Sequence, residues 1–454
     1  MRFFILALTV VLMTASSEAQ PWLQNLPAGK SKQQLTLSDY QQAFESYWAP
    51  FNVDKGSYYV NGVKKKAAGW KQFKRWEYEM QSQVNPRTGE FPKRSALEIR
   101  SDYEQAHPRT PMSGNAAWSP MGPTSSFSGY SGIGRINCVA FHPDDVNTFW
   151  VGAAAGGLWQ TTDNGATWTC LTDQNGVLAV SDIAITPDYA TSHTLYIATG
   201  DRDAWDNRSI GVLKSTDGGQ SWNTTGITFT IYEGQMVNRL LMDPADQNIL
   251  IAATTRGVFK TYDGGTTWDQ QMTGREYIDM EFNPSNPNII YGSTKNGEIF
   301  LCTDGQQFGP AVFSDGNANR VELAVSPNQP NWVYALASNG SSGLYGIFKS
   351  EDSGNTFVEV FSGSEKNLLT WESDGSGSGG QGWYDLSLAC APTDANILLV
   401  GGVNSWRSVD GGLTWNIINH WYGDQVQAVH ADKHKLAYRP NGDVFECNDG
   451  GVYL

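Results

Sequence analysis

Thr161-Thr162-Asp163-Asn164-Gly165-Ala166-Thr167-Trp168 spells out a tight turn, and the same phrase returns as Ser215 to Trp222, Thr261 to Trp268, Ser350 to Phe357 and Ser408 to Trp415. Each copy carries a hydroxyl, Asp two residues on, Gly two further, then Thr or Ser and an aromatic. The Asp carboxylate can accept bonds from amides of its own turn, Gly supplies a positive φ, and the hydroxyls satisfy spare backbone groups. The aromatic then re-enters a strand. Asp163/Gly165, Asp217/Gly219, Asp263/Gly265, Asp352/Gly354 and Asp410/Gly412 are therefore structural pairs, read as local turn-makers. Repetition at roughly 40–60 residues marks stacked supersecondary units.

Upstream of each turn runs a short apolar strand ending just before a proline: Pro143, Pro187, Pro244, Pro284, Pro327, Pro392 and Pro440. That makes seven repeats. A shortened phrase, Cys302-Thr303-Asp304-Gly305-Gln306-Gln307-Phe308, occupies the fourth. Alternating runs such as Leu195-Tyr196-Ile197-Ala198-Thr199 read as short buried strands, four per repeat. The expected fold is all-β, a β-propeller of at least seven four-stranded blades after a short helical N-terminal segment. Gly450-Gly451-Val452-Tyr453-Leu454 matches Gly156-Gly157-Leu158-Trp159-Gln160, which precedes the first turn, so a C-terminally truncated last repeat is expected.

The predicted organisation is a signal peptide over 1–19, a helical and irregular leader over 20–110, a linker over 111–134 and the propeller over 135–454. Arg2 followed by an apolar run to Met13 and Ser17-Glu18-Ala19 has the form of a secretory signal, too short to span a membrane. In the leader, Tyr40, Phe44, Tyr47 and Trp48 share one helical face, and Trp70, Phe73, Trp76, Tyr78 and Met80 begin a second pattern. Lys64-Lys65-Lys66, Lys71, Lys74 and Arg75 lie among these aromatics; they read as a solvated face or a polyanion site. From Pro21 to Thr110 there are 14 Lys/Arg against 9 Asp/Glu, so the net charge of −15 belongs to the repeats. An acidic repeat surface argues against nucleic acid as partner. The five cysteines lack metal-site spacing, and most read as small buried hydrophobes.

The turn phrase resembles the Asp box (BNR repeat) of propellers such as sialidases, sortilin-type receptors and xyloglucan-cleaving glycosyl hydrolases. Phe73-Lys74-Arg75-Trp76-Glu77, Trp118-Ser119-Pro120-Met121-Gly122-Pro123 and Gly134-Arg135-Ile136-Asn137 resemble large secreted proteins of Bacteroidota-type bacteria, whose relatives often end in a type nine secretion sorting domain. The resemblance implies a secreted or surface location, and turns lying on the face away from the ligand. It carries no catalytic assignment. Xyloglucan-cleaving propellers place an Asp shortly before the first Gly-Gly-x-aromatic, where this chain has Ala153-Ala154-Ala155, and the Arg-Ile-Pro strand of sialidases is missing.

Candidate residues gather at the starts of the inner strands. Arg135, Asn137, Arg239, Tyr277, Arg320, Trp383 and Tyr384 are expected to line a polar, aromatic mouth suited to sugars. His430-Ala431-Asp432-Lys433-His434, read as an extended strand, puts His430, Asp432 and His434 on one side, either as a half-shell for zinc or as a hydrogen-bonded cluster closing the ring. Asp201, Asp203 and Asp206 form either a calcium loop or an exposed acidic loop. Asp279, Asp385 and Asp432 are the candidate catalytic carboxylates, and Ser373 to Gly380 reads as a mobile loop near the mouth. The leading expectation is a module binding polysaccharide or a protein partner without assignable catalysis. The alternatives are a glycoside hydrolase and a sortilin-like peptide receptor.

Overall fold

The computed structural model describes residues 20–94, 96–108, 131–231 and 233–454. The predicted signal segment and most of the predicted linker lie outside these residues. The chain forms two compact units, 1–94 and 95–454.

In the first unit, helix α1 (Leu37–Trp48) opens on a reciprocal cap. Asp39 N–H donates to Thr36 Oγ1, and Thr36 N–H donates to Asp39 Oδ2 at 2.8 Å. Helix α2 (Trp70–Gln81) packs across it, with Phe44 and Phe73 stacked at 4.0 Å. Trp22, Trp48 and Ala67 complete a small core, whereas Tyr78 turns outward. Between the helices stands the hairpin Ser57–Val60 and Val63–Lys66.

The second unit begins with helix α3 (Ala96–Ala106) and continues as seven antiparallel sheets in chain order. Their first strands are Ile136–Phe141, Val180–Ile185, Val237–Met242, Tyr277–Asn283, Ala318–Val325, Ser387–Cys390 and Lys433–Tyr438, each ending one or two residues before one of the seven prolines. Each first strand packs on the next, and the seventh packs back on the first. This is a seven-bladed propeller with those strands innermost. Five blades have four strands; the sixth adds Gln427–Ala428, parallel to Asn416–His420, and the seventh shows three strands among the described residues. Phe445 and Cys447 of the seventh blade share a core with Val139, Phe149 and Val151 of the first, which closes the ring. Among the described residues no helix is long and apolar enough to cross a membrane.

The recurring turns hold the hydrogen bonds their residues imply. In the first, Thr167 N–H and Oγ1–H donate to the two Asp163 oxygens at 2.8 and 2.6 Å, and Gly165 N–H donates to Thr161 Oγ1 at 2.9 Å. The same bonds recur at Asp217, Asp263, Asp352 and Asp410. In the shortened copy Asp304 retains two backbone amides, Gln306 and Gln307. Because the strands alternate in direction, these turns share one face with the prolines. The loops preceding the inner strands and those joining second to third strands share the other.

Four of the turn glycines do more than shape the turn. Gly219, Gly265, Gly354 and Gly412 are buried rather than standing at exposed turn tips, and each backs onto the blade before its own. A Cβ would lie 2.8 Å from Cδ1 of Leu171 at Gly219, 3.2 Å from Cγ2 of Thr225 at Gly265, and 3.3 Å from Cγ2 of Val360 at Gly412. At Gly354 it would meet the Tyr291 ring at 2.7 Å. These glycines therefore serve two purposes, a positive φ and close packing between blades. Gly165 of the first blade is only half-buried, and a Cβ there would come no closer than 3.8 Å to its neighbours.

Candidate functional site

At the face opposite the turns, all inner strands except the sixth start with a bulge: the register slips between Ile136 and Cys138, Val180 and Asp182, Val237 and Arg239, Tyr277 and Asp279, Ala318 and Val321, and Lys433 and Lys435. A bulge breaks the two-residue alternation and re-aims the extra side chain. Asn137, Ser181 and Asn238 are such residues. Their side chains donate to the carbonyls of Val180, Val237 and Tyr277 on the following blades, at 3.2, 2.5 and 2.7 Å. Asn137 therefore stitches blades together.

Arg320 and His434 are also bulge residues, and they enter a continuous ionic network across the mouth. Arg135 pairs with Asp201 and donates to Tyr384 Oη at 2.9 Å, and Tyr384 donates to Asp449 at 2.8 Å. His434 lies between Asp449 (Nε2, 2.8 Å) and Asp203 (Nδ1, 2.9 Å). Asp203 also meets Arg320 at 2.8 Å, Arg320 meets Glu322 at 2.7 Å, and Glu322 meets Arg202 at 3.4 Å. Farther along the inner strands, Arg239 joins Asp279 at 3.3 Å and Glu281 at 2.8 Å. Asp279 also accepts from Leu323 N–H at 2.9 Å.

Burial and pairing set the charge states. Burial works against the Asp203 anion, but Arg320, Arg202 and His434 hold its carboxyl well below the usual range. Burial likewise disfavours the His434 cation, yet the bonds to Asp203 and Asp449 raise it above 6.5. Burial pushes Glu322 up to about 7 against the pull of Arg202 and Arg320. Asp385 stands apart: it is wholly buried, with no N–H or hydroxyl donor bonded to either oxygen, and its neighbour is a second carboxyl, Asp432. Burial, then the charge of Asp432, drives its pKa well above the usual carboxylate value.

These positions revise several sequence expectations. His430, Asp432 and His434 do not share an extended strand: the strand begins at Lys433, and Asp432 takes φ +66°. Both His434 nitrogens are engaged by carboxylates, and among the described residues no three His, Cys, Asp or Glu side chains are placed to hold a metal. Asp201 and Asp203 are buried against arginines, which leaves only Asp206 exposed in the proposed calcium loop. Tyr277 lies in an interblade core with Met280 and Phe300, not at the mouth. Arg239 and Arg320 are enclosed by their ion pairs. Asp279 is held by Arg239, and Asp385 is out of solvent's reach, so the three candidate catalytic carboxylates offer no open pair with a water between them.

What does face solvent is aromatic. Trp383 is 53% exposed and sits 5.3 Å from the Tyr384 ring. Trp371 and Tyr422 are also exposed, and Trp421 packs edge-on to Tyr422 at 4.6 Å. Trp371, Trp421 and Tyr422 were not singled out from the sequence; of the three, only Trp371 stands beside the Gly/Ser-rich insertion. That insertion is pinned, contrary to the mobile loop expected. Asn367 Nδ2 donates to the Gly377 and Gly379 carbonyls at 2.8 and 2.9 Å, and Asn404 donates to Thr370 O at 3.0 Å. His420 Nε2 meets Trp371 O at 2.9 Å, and Ser373 donates to Asp424 at 2.5 Å.

No family model matches the chain. A xyloglucanase of Hypocrea jecorina is 24% identical over 345 residues, 64% of this chain and 39% of that protein. A xyloglucanase of Paenibacillus sp is 25% identical over 343 residues, 63% of this chain and 32% of that protein. The solved GH74 enzyme of Niastella koreensis superposes with a TM-score of 0.53 at 18% identity, covering 72% of this chain and 53% of its own. The GH74 xyloglucanase of Xanthomonas campestris gives 0.52 at 18%, covering 71% and 52%. The likeness is one of fold. The chain spans about a third of the curated relatives' length, and the structural matches reach only about half of each solved enzyme.

Proposed function

We propose that this chain is a secreted β-propeller module, built on Asp-box turns, whose loop face binds a neutral polysaccharide of the β-glucan class without cleaving it. The exposed aromatic rings of Trp371, Trp383 and Tyr422, all on loops of this face, carry this reading. Aromatic ring faces stack on the apolar faces of pyranose rings, and the loop carrying Trp371, held by buried Asn367 and Asn404, loses little entropy on binding. Relatives named xyloglucanases, aligned over nearly two thirds of the chain, support the sugar class. The locked carboxylates and the alanines of Ala153-Ala154-Ala155 weigh against turnover by this chain.

A glycoside hydrolase is the second reading, favoured by the names of those relatives. A sortilin-like peptide receptor is weakened by ion pairs that cross the ring mouth, as between Asp203 and His434. Calorimetric titration of the full chain with xyloglucan and cello-oligosaccharides tests all three. Binding heat without new reducing ends supports the module. Reducing ends lost on Asp432→Asn would establish the hydrolase instead, and binding of peptides but no glycan would establish the receptor.

A further inference from the structure

The N-terminal unit presents a surface that serves none of its own packing. The hairpin turns through Asn61 (φ +52°) and Gly62 (φ +80°), the left-handed pair that fits a two-residue connection. Its register sets Tyr58 opposite Lys65, Tyr59 opposite Lys64, Val60 opposite Val63 and Ser57 opposite Lys66. Tyr58 packs onto Trp48 and Phe51 at 5.7 and 5.1 Å, so Tyr59, Lys64 and Lys66 lie on the opposite, outward face, while Val60, Val63 and Lys65 share the Tyr58 face and reach past it to the hairpin tip. Tyr59 is 67% exposed and Val63 at the tip is 61% exposed.

The charges there are unmatched. Lys30 and Lys74 of the same unit each lie 2.8 Å from a carboxylate, whereas Lys64, Lys65 and Lys66 have no ion pair or hydrogen bond among the described residues. Residues 20–94 hold 12 Lys/Arg against 6 Asp/Glu, while residues 95–454 hold 18 against 39. Three unpaired ammonium groups on a strand next to an exposed Val-Asn-Gly-Val tip combine two signals. Lysines attract any polyanion; exposed valines at the tip gain only where an apolar phase lies beneath the charge.

We propose that this hairpin is a peripheral docking tip for an anionic lipid surface. The hairpin enters end-on, with Val60 and Val63 of one face and Tyr59 of the other at the headgroup boundary, and Lys64, Lys65 and Lys66, spread over both faces behind the tip, pair with lipid phosphates. A soluble polyanion would use the lysines and leave the valines in water.

Sedimentation of the full chain with phosphatidylcholine vesicles, with and without added phosphatidylglycerol, tests this. Binding is expected only to the anionic vesicles and falls with added salt, because exposed charge pairs are screened. The Lys64→Gln, Lys65→Gln, Lys66→Gln triple variant should lose on the order of a hundredfold in partitioning, given the contribution of each lysine near an anionic surface. Val63→Ser should lose about threefold to tenfold while keeping all three charges. Both variants alter exposed positions and should keep the wild-type melting temperature. If the triple variant fails to fold, Val63→Ser and the salt titration of the unaltered protein still decide. No binding to anionic vesicles, equal binding to neutral ones, a Val63→Ser variant that binds like wild type, or capture of dextran sulfate with vesicles ignored would each overturn the proposal.

Discussion

His434 of the seventh blade meets Asp203 of the second at 2.9 Å, a hydrogen bond between residues 231 positions apart in the chain that spans the mouth of the ring. Both side chains are buried, and His434 reaches Asp449 with its other nitrogen. The folded protein thus holds the imidazolium proton more tightly than the unfolded chain does, so this contribution is fully present below pH 6.5 and is lost as pH rises through the higher folded value. His434→Gln should destabilise by about 3–5 kcal/mol in mildly acidic buffer, as removal of one member of a buried pair does. The gap should narrow toward alkaline pH; denaturant melts across that range check it.

Asp385 makes the opposite prediction. Its folded pKa lies above the ordinary carboxylate value, so stability falls as pH rises beyond about 4. Asp385→Asn should raise stability at neutral pH, because the amide fills the same buried site without a charge that burial penalises. The gain should shrink near pH 4, and a gain that stayed constant with pH would refute the protonation argument.

The recurring turns differ in what they can lose. Gly354 takes φ +80°, and a Cβ there would lie 2.7 Å from Cε1 of Tyr291, a fully buried ring. Gly354→Ala should cost about 1–3 kcal/mol from strain alone. Asp410→Ala removes bonds from the side chains of Ser408 and Thr414 and from the Thr414 amide, so its melting temperature should drop further than that of Asp304→Ala, which loses two amides and a thiol.

Trp383→Ala should weaken glycan binding about tenfold, the value of one well-stacked ring, without moving the melting temperature. Trp371→Ala should act in the same direction. Asn367→Ala should also weaken binding, but with a loss of stability, because its amide holds the loop that carries Trp371. Calorimetry paired with thermal melts separates the two effects.

Asp163 with Gly165, repeated down the chain, was legible because the bonds of the Asp carboxylate and the Gly amide are local: each partner lies within four residues. Seven apolar strands ending before prolines made the blades countable for the same reason. The burial of Gly219, Gly265 and Gly412 was not legible, since the side chains beneath them, Leu171, Thr225 and Val360, come from the preceding blades. The site residues were legible only as a neighbourhood. Reading His430, Asp432 and His434 as one side of a strand failed because a bulge inserts His434 as an extra residue and Asp432 adopts a left-handed backbone.

The sequence by itself thus determined the repeat, the inner strands and the turns that cap them, since short-range hydrogen bonds and alternation of apolar residues encode these. Only the tertiary structure decided which charges meet. Arg135 reaches Tyr384, and His434 reaches Asp203, once the ring has closed and bulges have turned those side chains inward. Desolvation then makes each buried charge depend on partners from distant blades, which local spacing along the chain does not encode.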